Sequence, residues 1–167
     1  MPILDYSDVS ERPLIAGQLA TTERHKARTK FNRSNGILPF GLAVVQGDGD
    51  MDAIAPTASD TDFVGITLES RALERRVGFS ETTTGLMGYP EDYEMGVVNE
   101  CAGIGVHLET NVAPGDDVYF RHSATGVQVA GAFRNDTDGG SATLIPGARF
   151  IRSGLAGGIG RLAIDEA

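Results

Sequence analysis

Short apolar runs, cut by glycine and by polar clusters, follow one another along the chain. The pattern is clearest from Tyr93 to Phe120, in Tyr93-Glu-Met-Gly-Val-Val-Asn, Ala102-Gly-Ile-Gly-Val-His-Leu-Glu and Asn111-Val-Ala-Pro-Gly-Asp-Asp-Val-Tyr-Phe. Runs of this length, bounded by turn residues, predict β-strands joined by tight turns. Upstream, Ile37-Leu-Pro-Phe-Gly-Leu-Ala-Val-Val reads as a strand whose proline places it at an edge or a strand start. Phe63-Val-Gly-Ile-Thr-Leu-Glu reads as another, with Phe63 and Gly65 on one face and Val64, Ile66 and Leu68 on the other. Downstream, the pattern predicts strands at Val127-Gln-Val-Ala, Ala148-Arg-Phe-Ile-Arg and Ile159-Gly-Arg-Leu-Ala-Ile.

The segments between are turn chemistry. Pro114-Gly115-Asp116 fits a type II turn, in which glycine accepts the positive φ at the third position. Gln46-Gly-Asp-Gly-Asp and Ser123-Ala-Thr-Gly predict reversals, and Arg71-Ala-Leu-Glu-Arg-Arg-Val one or two helical turns. Residues 78–92, rich in Gly, Thr and acids, predict an exposed loop of the partner-touching kind. Before residue 37 the chain is polar, apart from Leu14-Ile-Ala-Gly-Gln-Leu-Ala, which suits an edge strand. Residues 22–32 suit either a basic helix capped by Thr21 or Thr22 or a solvated tail. The expected architecture is mainly β: a single β-barrel or β-sandwich domain with short helical turns, formed by residues 37–167, and an extended N-terminal arm over residues 1–36.

Charge sharpens this division. The 167 residues carry a net charge of −9, but residues 1–36 carry six Lys or Arg against four acids, +2, and the remainder carries −11. An acidic body lacks the positive field that releases counterions from nucleic acid. The basic run Arg24-His-Lys-Ala-Arg-Thr-Lys-Phe-Asn-Arg therefore suits an acidic protein face, including the body of a neighbouring copy. The single cysteine, Cys101, has no internal partner and reads as a small buried hydrophobe. No basic start with an apolar run marks a signal peptide, and no stretch approaches the ~18 apolar residues of a membrane span. Synthesis in the cytosol and no membrane contact are expected.

Asp48-Gly-Asp-Met-Asp52 has the alternating acids of a calcium loop, but Ala53 and Ser59 stand where that loop needs Gly and Glu. His25, His107 and His122 have no metal-ligand spacing to one another or to Cys101. There is no Gly-x-Ser-x-Gly elbow and no phosphate loop, and Lys26 and Lys30 are the only lysines. The glycines of 103–105 and 154–160 are not followed by a helix pattern, so they read as strand bends rather than a dinucleotide site. No cofactor is expected and no catalytic residue is assigned.

The order of segments resembles the trimeric cement, or decoration, proteins of tailed-phage capsids. The resemblance is carried by Ala16-Gly-Gln-Leu-Ala, Ile37-Leu-Pro-Phe-Gly-Leu-Ala-Val-Val, Phe63-Val-Gly-Ile, Tyr93-Glu-Met-Gly, Gly105-Val-His-Leu, Val112-Ala-Pro-Gly-Asp-Asp-Val, Pro146-Gly-Ala-Arg-Phe and Arg161-Leu-Ala-Ile. It implies a non-enzymatic, β-rich homotrimer on the outer surface of an expanded phage head, bridging major capsid protein subunits. On that reading Arg12, Arg24, Arg28 and Phe31 are the candidate partner-binding anchors, because Arg and aromatic residues dominate binding hot spots. Two other readings stay open: a small trimeric β-barrel enzyme or ligand-binding module with an intersubunit site drawn from His107, His122, Asp116 and Asp117, and a phage tail or baseplate β-module.

Overall fold

A computed structural model describes residues 14–21, 23–70, 80–82 and 85–165. The protein is nearly all β, 47% strand and 2% helix, as the glycine-cut apolar runs predict. In chain order the strands are β1 (His25–Asn32), β2 (Leu38–Pro39), β3 (Ala43–Gln46), β4 (Asp52–Ile54), β5 (Phe63–Thr67), β6 (Ser80–Glu81), β7 (Met87–Tyr89), β8 (Glu94–His107), β9 (Asp117–Arg121), β10 (Phe133–Arg134), β11 (Ala142–Phe150) and β12 (Ile159–Ile164). Nine of them form one sheet in the order β1-β4-β3-β5-β8-β12-β11-β9-β10, and β1 also pairs with β8. That second pairing closes β1, β4, β3, β5 and β8 into a five-stranded barrel, which removes the open edges an unclosed sheet would expose. Strands β2, β7 and β6 make a separate small sheet.

Strand β8 joins the two halves. The apolar runs around Val97 and Gly103 are one continuous strand of 14 residues. Its first half pairs with β1, from Phe31↔Glu94 to His25↔Cys101, and its second half with β12, from Ile164↔Cys101 to Ile159↔His107. The edge-strand expectation for residues 14–20 is met by a single bridge, Leu19↔Ile104. The Pro114–Gly115 turn forms as predicted, with Gly115 at φ 90° and the Asp116 amide donating to the Ala113 carbonyl. The hairpin of β11 and β12 pairs Ala148↔Ile164 through Phe150↔Leu162.

Other expectations are corrected. The basic segment is neither helix nor solvated tail, since His25–Asn32 is a barrel strand. Its buried positions Lys30 and Asn32 are polar, and most of their partners are distant in sequence. Asn32 is fully buried, its Nδ2 donating to the carbonyls of Gly36, Tyr89 and Pro90. The run at Val127 is a turn, because the Gln128 amide donates to the Thr125 carbonyl with Gly126 at φ 64°. Residues 78–92 are not all exposed loop: Met87–Tyr89 is a strand, and Tyr89 is buried with its hydroxyl donating to the Leu68 carbonyl. Phe63 and Ile66 do not face opposite ways. The register slips between Val44 and Val45, where Gly65 takes φ 156°, and the slip turns both side chains into the same core. The expected helical turns at residues 71–77 lie outside the described residues.

The barrel strands feed two apolar clusters. Ala43, Val45, Ile66 and Val98 join Phe120, Phe133, Ile145, Phe150 and Leu162 in the larger one. Their neighbours Val44, Val97 and Met95 pack with Leu38, Phe40 and Tyr89 in the smaller one, Phe40 meeting Tyr89 edge to face at 5.1 Å. Cys101 sits in the larger cluster, and burial pushes its thiol pKa up. It is the small buried hydrophobe its surroundings suggest.

Candidate functional site

The acidic turn between β3 and β4 is closed around the protein's own cation. Lys30 Nζ, buried, donates to Gln46 Oε1 at 2.9 Å and to the Asp50 carbonyl at 2.7 Å. The Asp52 carboxylate accepts from Arg33 Nε at 3.3 Å and from the Gly49 amide at 3.1 Å. Its oxygens are thereby committed to the turn, which is the physical counterpart of the missing Gly and Glu of a calcium loop. Among the described residues no group of three or more His, Cys, Asp or Glu side chains is placed to hold a metal ion.

Of the four candidate anchors, Arg24, Arg28 and Phe31 lie among the described residues. Arg24, one residue before β1, leaves 77% of its side chain exposed, its Nε 3.9 Å from Glu100. Arg28 is exposed on β1 and, with Lys26, lines a cleft of about 540 Å³ against Leu144 and Pro146. Leu144 is a large apolar residue left 42% exposed there. At the cleft wall the Asn99 amide oxygen is buried without a hydrogen-bond donor among the described residues. Phe31 is half-buried, with the Arg33 guanidinium 5.6 Å above its ring. Arg12 lies outside the described residues.

A second cleft, of about 570 Å³, was not predicted. Two arginines from neighbouring strands form its charged wall: Arg121 at the end of β9 and Arg134 at the end of β10, paired through Phe133↔Phe120. Arg121 is 2% exposed; its Nε donates to both Glu109 oxygens at 2.7 Å, Nη2 to Asp138 at 2.6 Å and Nη1 to the Ser123 carbonyl at 2.9 Å. Arg134 shares Glu109 at 3.3 Å and Asp138 at 2.9 Å, and reaches Asp136 at 2.6 Å. The Arg121 hydrogen bond holds the Asp138 carboxyl below its ordinary pKa. Asp138 takes φ 45°, an uncommon left-handed conformation outside glycine, in a short 3₁₀ turn over Asp138–Gly140. The sequence signal was a charge ending each of two apolar strands, Phe120-Arg121 and Phe133-Arg134.

His107 lines this cleft, and burial lowers its pKa. The other residues of the intersubunit-site reading have separate commitments. His122 Nδ1 lies 3.0 Å from Ser123 Oγ, Asp116 accepts from the Ala113 amide and Asn135, and Asp117 pairs with Arg149 at 2.7 Å. No nucleophile, base and orienting group converge among these four described residues.

A solved structure of the capsid of Myoviridae phage XM1 contains a chain that superposes with a TM-score of 0.69 at 16% identity, over 99% of both chains, so the two share a fold. The head fibre gp8.5 N base of bacteriophage phi29 aligns with a TM-score of 0.41 at 12% identity, over 84% of this chain and 94% of that one. No curated protein sequence matches. The family model described as structural cement protein (E217 gp24/Pam3 gp6) matches residues 7–165. With all but the ends of the sequence inside that match, the chain belongs to the phage structural cement protein family.

Proposed function

We propose that this protein binds the outer surface of an expanded phage head as a homotrimer and ties neighbouring major capsid protein subunits together. The family match over residues 7–165 carries this reading, since membership assigns a structural cement role to the virion capsid. The physics of such a role is avidity. Three copies of one modest patch, held on one particle, exceed the affinity of each by ~10² to 10⁴ when geometry lets all engage. The patch we favour is the face of β1 with its cleft: Arg28 lines the cleft with the exposed apolar Leu144, and Arg24, just before β1, offers a second exposed guanidinium group near Glu100 of the same cleft. Such a pairing suits an acidic stretch of a capsid subunit. Arg12 is retained as a further anchor on charge alone.

A deletion of residues 1–35 would take β1 out of the barrel and so report on folding rather than on binding. The informative variant is Arg24→Glu with Arg28→Glu, two exposed positions. Wild-type protein is expected to co-sediment with purified expanded heads and not with free capsid subunits, and the double variant to lose most of that binding while staying folded. Equal binding by the variant would remove β1 from the interface, and failure of the wild type to bind heads would overturn the proposal.

A further inference from the structure

The unpredicted cleft is flanked by the two most exposed large apolar side chains among the described residues, Val127 at 97% and Leu155 at 76%. Each stands on a pinned turn. Thr125 donates its amide and its hydroxyl to Gln128 Oε1, and the Gln128 amide returns to the Thr125 carbonyl, which fixes Val127 at the tip. The Gly158 amide donates to the Leu155 carbonyl and the Gly157 amide to Leu108, while the Ala156 amide donates to Asn111 Oδ1. Gly157 and Val127 both line the cleft. Apolar side chains held out in water on preorganised backbone cost solvation and gain nothing in the free molecule, whereas a partner that covers them loses little entropy.

The charge around them is one-sided at the surface. The side chains of Arg121 and Arg134 in the cleft wall are 2% and 7% exposed, whereas Asp138 in the same wall is 40% exposed and Asp136, bonded to Arg134 beside the cleft, 59%. Anionic oxygens are thus turned outward there, and the cations are held inside.

We propose that this cleft is a second capsid contact, which takes a segment of the major capsid protein carrying an aliphatic or aromatic side chain flanked by Lys or Arg. The inference rests on the head-binding reading above and adds to it an acidic, apolar-tipped face besides the basic β1 face. Two faces of opposite chemistry let one protomer touch two different surfaces of the shell, as bridging requires. The basic β1 face of a second copy would match the same charge, so the oligomeric state of each variant is followed together with its head binding.

The test compares Val127→Asp, Leu155→Asp and Ala124→Lys with wild type for binding to purified expanded heads that lack the protein, with sedimentation velocity on each. Met51→Asp, at an apolar residue 49% exposed and outside the cleft, is the control. Each Asp variant is expected to weaken head binding roughly ten- to a hundred-fold, the effect of losing one buried aliphatic side chain. Ala124→Lys, a cation added to the same loop, should also weaken it, and Met51→Asp should not. Unchanged binding by both Asp variants while the wild type binds would overturn this inference and leave the head-binding reading standing. A fall in oligomeric state without loss of head affinity would assign the cleft to a second copy and overturn it too. Wild-type protein that fails to bind heads would overturn both.

Discussion

Replacing Arg121 with Met tests whether the cleft wall is held by its ion network. The guanidinium is 2% exposed and makes four short hydrogen bonds, two to Glu109 at 2.7 Å each, one to Asp138 at 2.6 Å and one to the Ser123 carbonyl at 2.9 Å. After the change Glu109, only 15% exposed, keeps just the 3.3 Å contact to Arg134. Breaking one side of a buried pair costs about 3–5 kcal/mol, because an uncompensated charge stays behind. The Asp138 half is 40% exposed and adds roughly 0–1 kcal/mol, and Met refills most of the volume. The expected loss is about 3 kcal/mol, the lower end of that range. With a urea dependence of about 2 kcal/mol per molar, the unfolding midpoint should fall by roughly 1.5 M at unchanged slope. A double-mutant cycle with Glu109→Gln should return a coupling of at least about 1.5 kcal/mol. A midpoint shift below about 0.3 M, or no coupling, would refute the reasoning and class the cluster with ion pairs that packing replaces at no cost.

Burial lowers the His107 pKa, so its contribution to stability is complete above the unfolded value of about 6.5 and is lost as pH falls through the lower folded value; urea midpoints should decline from pH 7 to 5, and His107→Gln should flatten that decline. Gly88→Ala would place a Cβ 2.2 Å from the Leu38 carbonyl oxygen and separate β2 from β7, whereas Gly115→Ala meets nothing within 4 Å and pays only for its positive φ; thermal melts should show the first losing about 3 kcal/mol or more and the second about 1 kcal/mol.

Much of this fold is legible in the sequence where one face of a strand is apolar and its ends are marked. The β11 and β12 hairpin and the Pro114–Gly115 turn are of that kind. Strand β1 is not, because His-Lys-Ala-Arg-Thr-Lys-Phe-Asn buries polar side chains. Lys30 and Asn32 are satisfied by Gln46, Asp50, Tyr89 and Pro90, partners that no local pattern reveals. Val127-Gln-Val-Ala misleads in the opposite sense, since its β-branched residues suit a strand while Gly126 and the Gln128 side chain close a turn. The Phe63–Ile66 face required knowledge of a register slip that arises only in pairing with β3. Of the candidate surfaces, the basic strand was visible as charge; the acidic cleft was not, because Glu109, Arg121, Arg134 and Asp138 converge only when β9 and β10 pair.

The central claim is that this protein cements a phage head from outside, and cryo-electron microscopy of the mature virion tests it most directly. The account predicts density for the five-stranded barrel on the outer surface, in threefold groups across joints between capsid subunits, with Arg24, Arg28 and Val127 against major capsid protein. Density confined to the tail or the inner face, or a shell surface without the barrel, would contradict it.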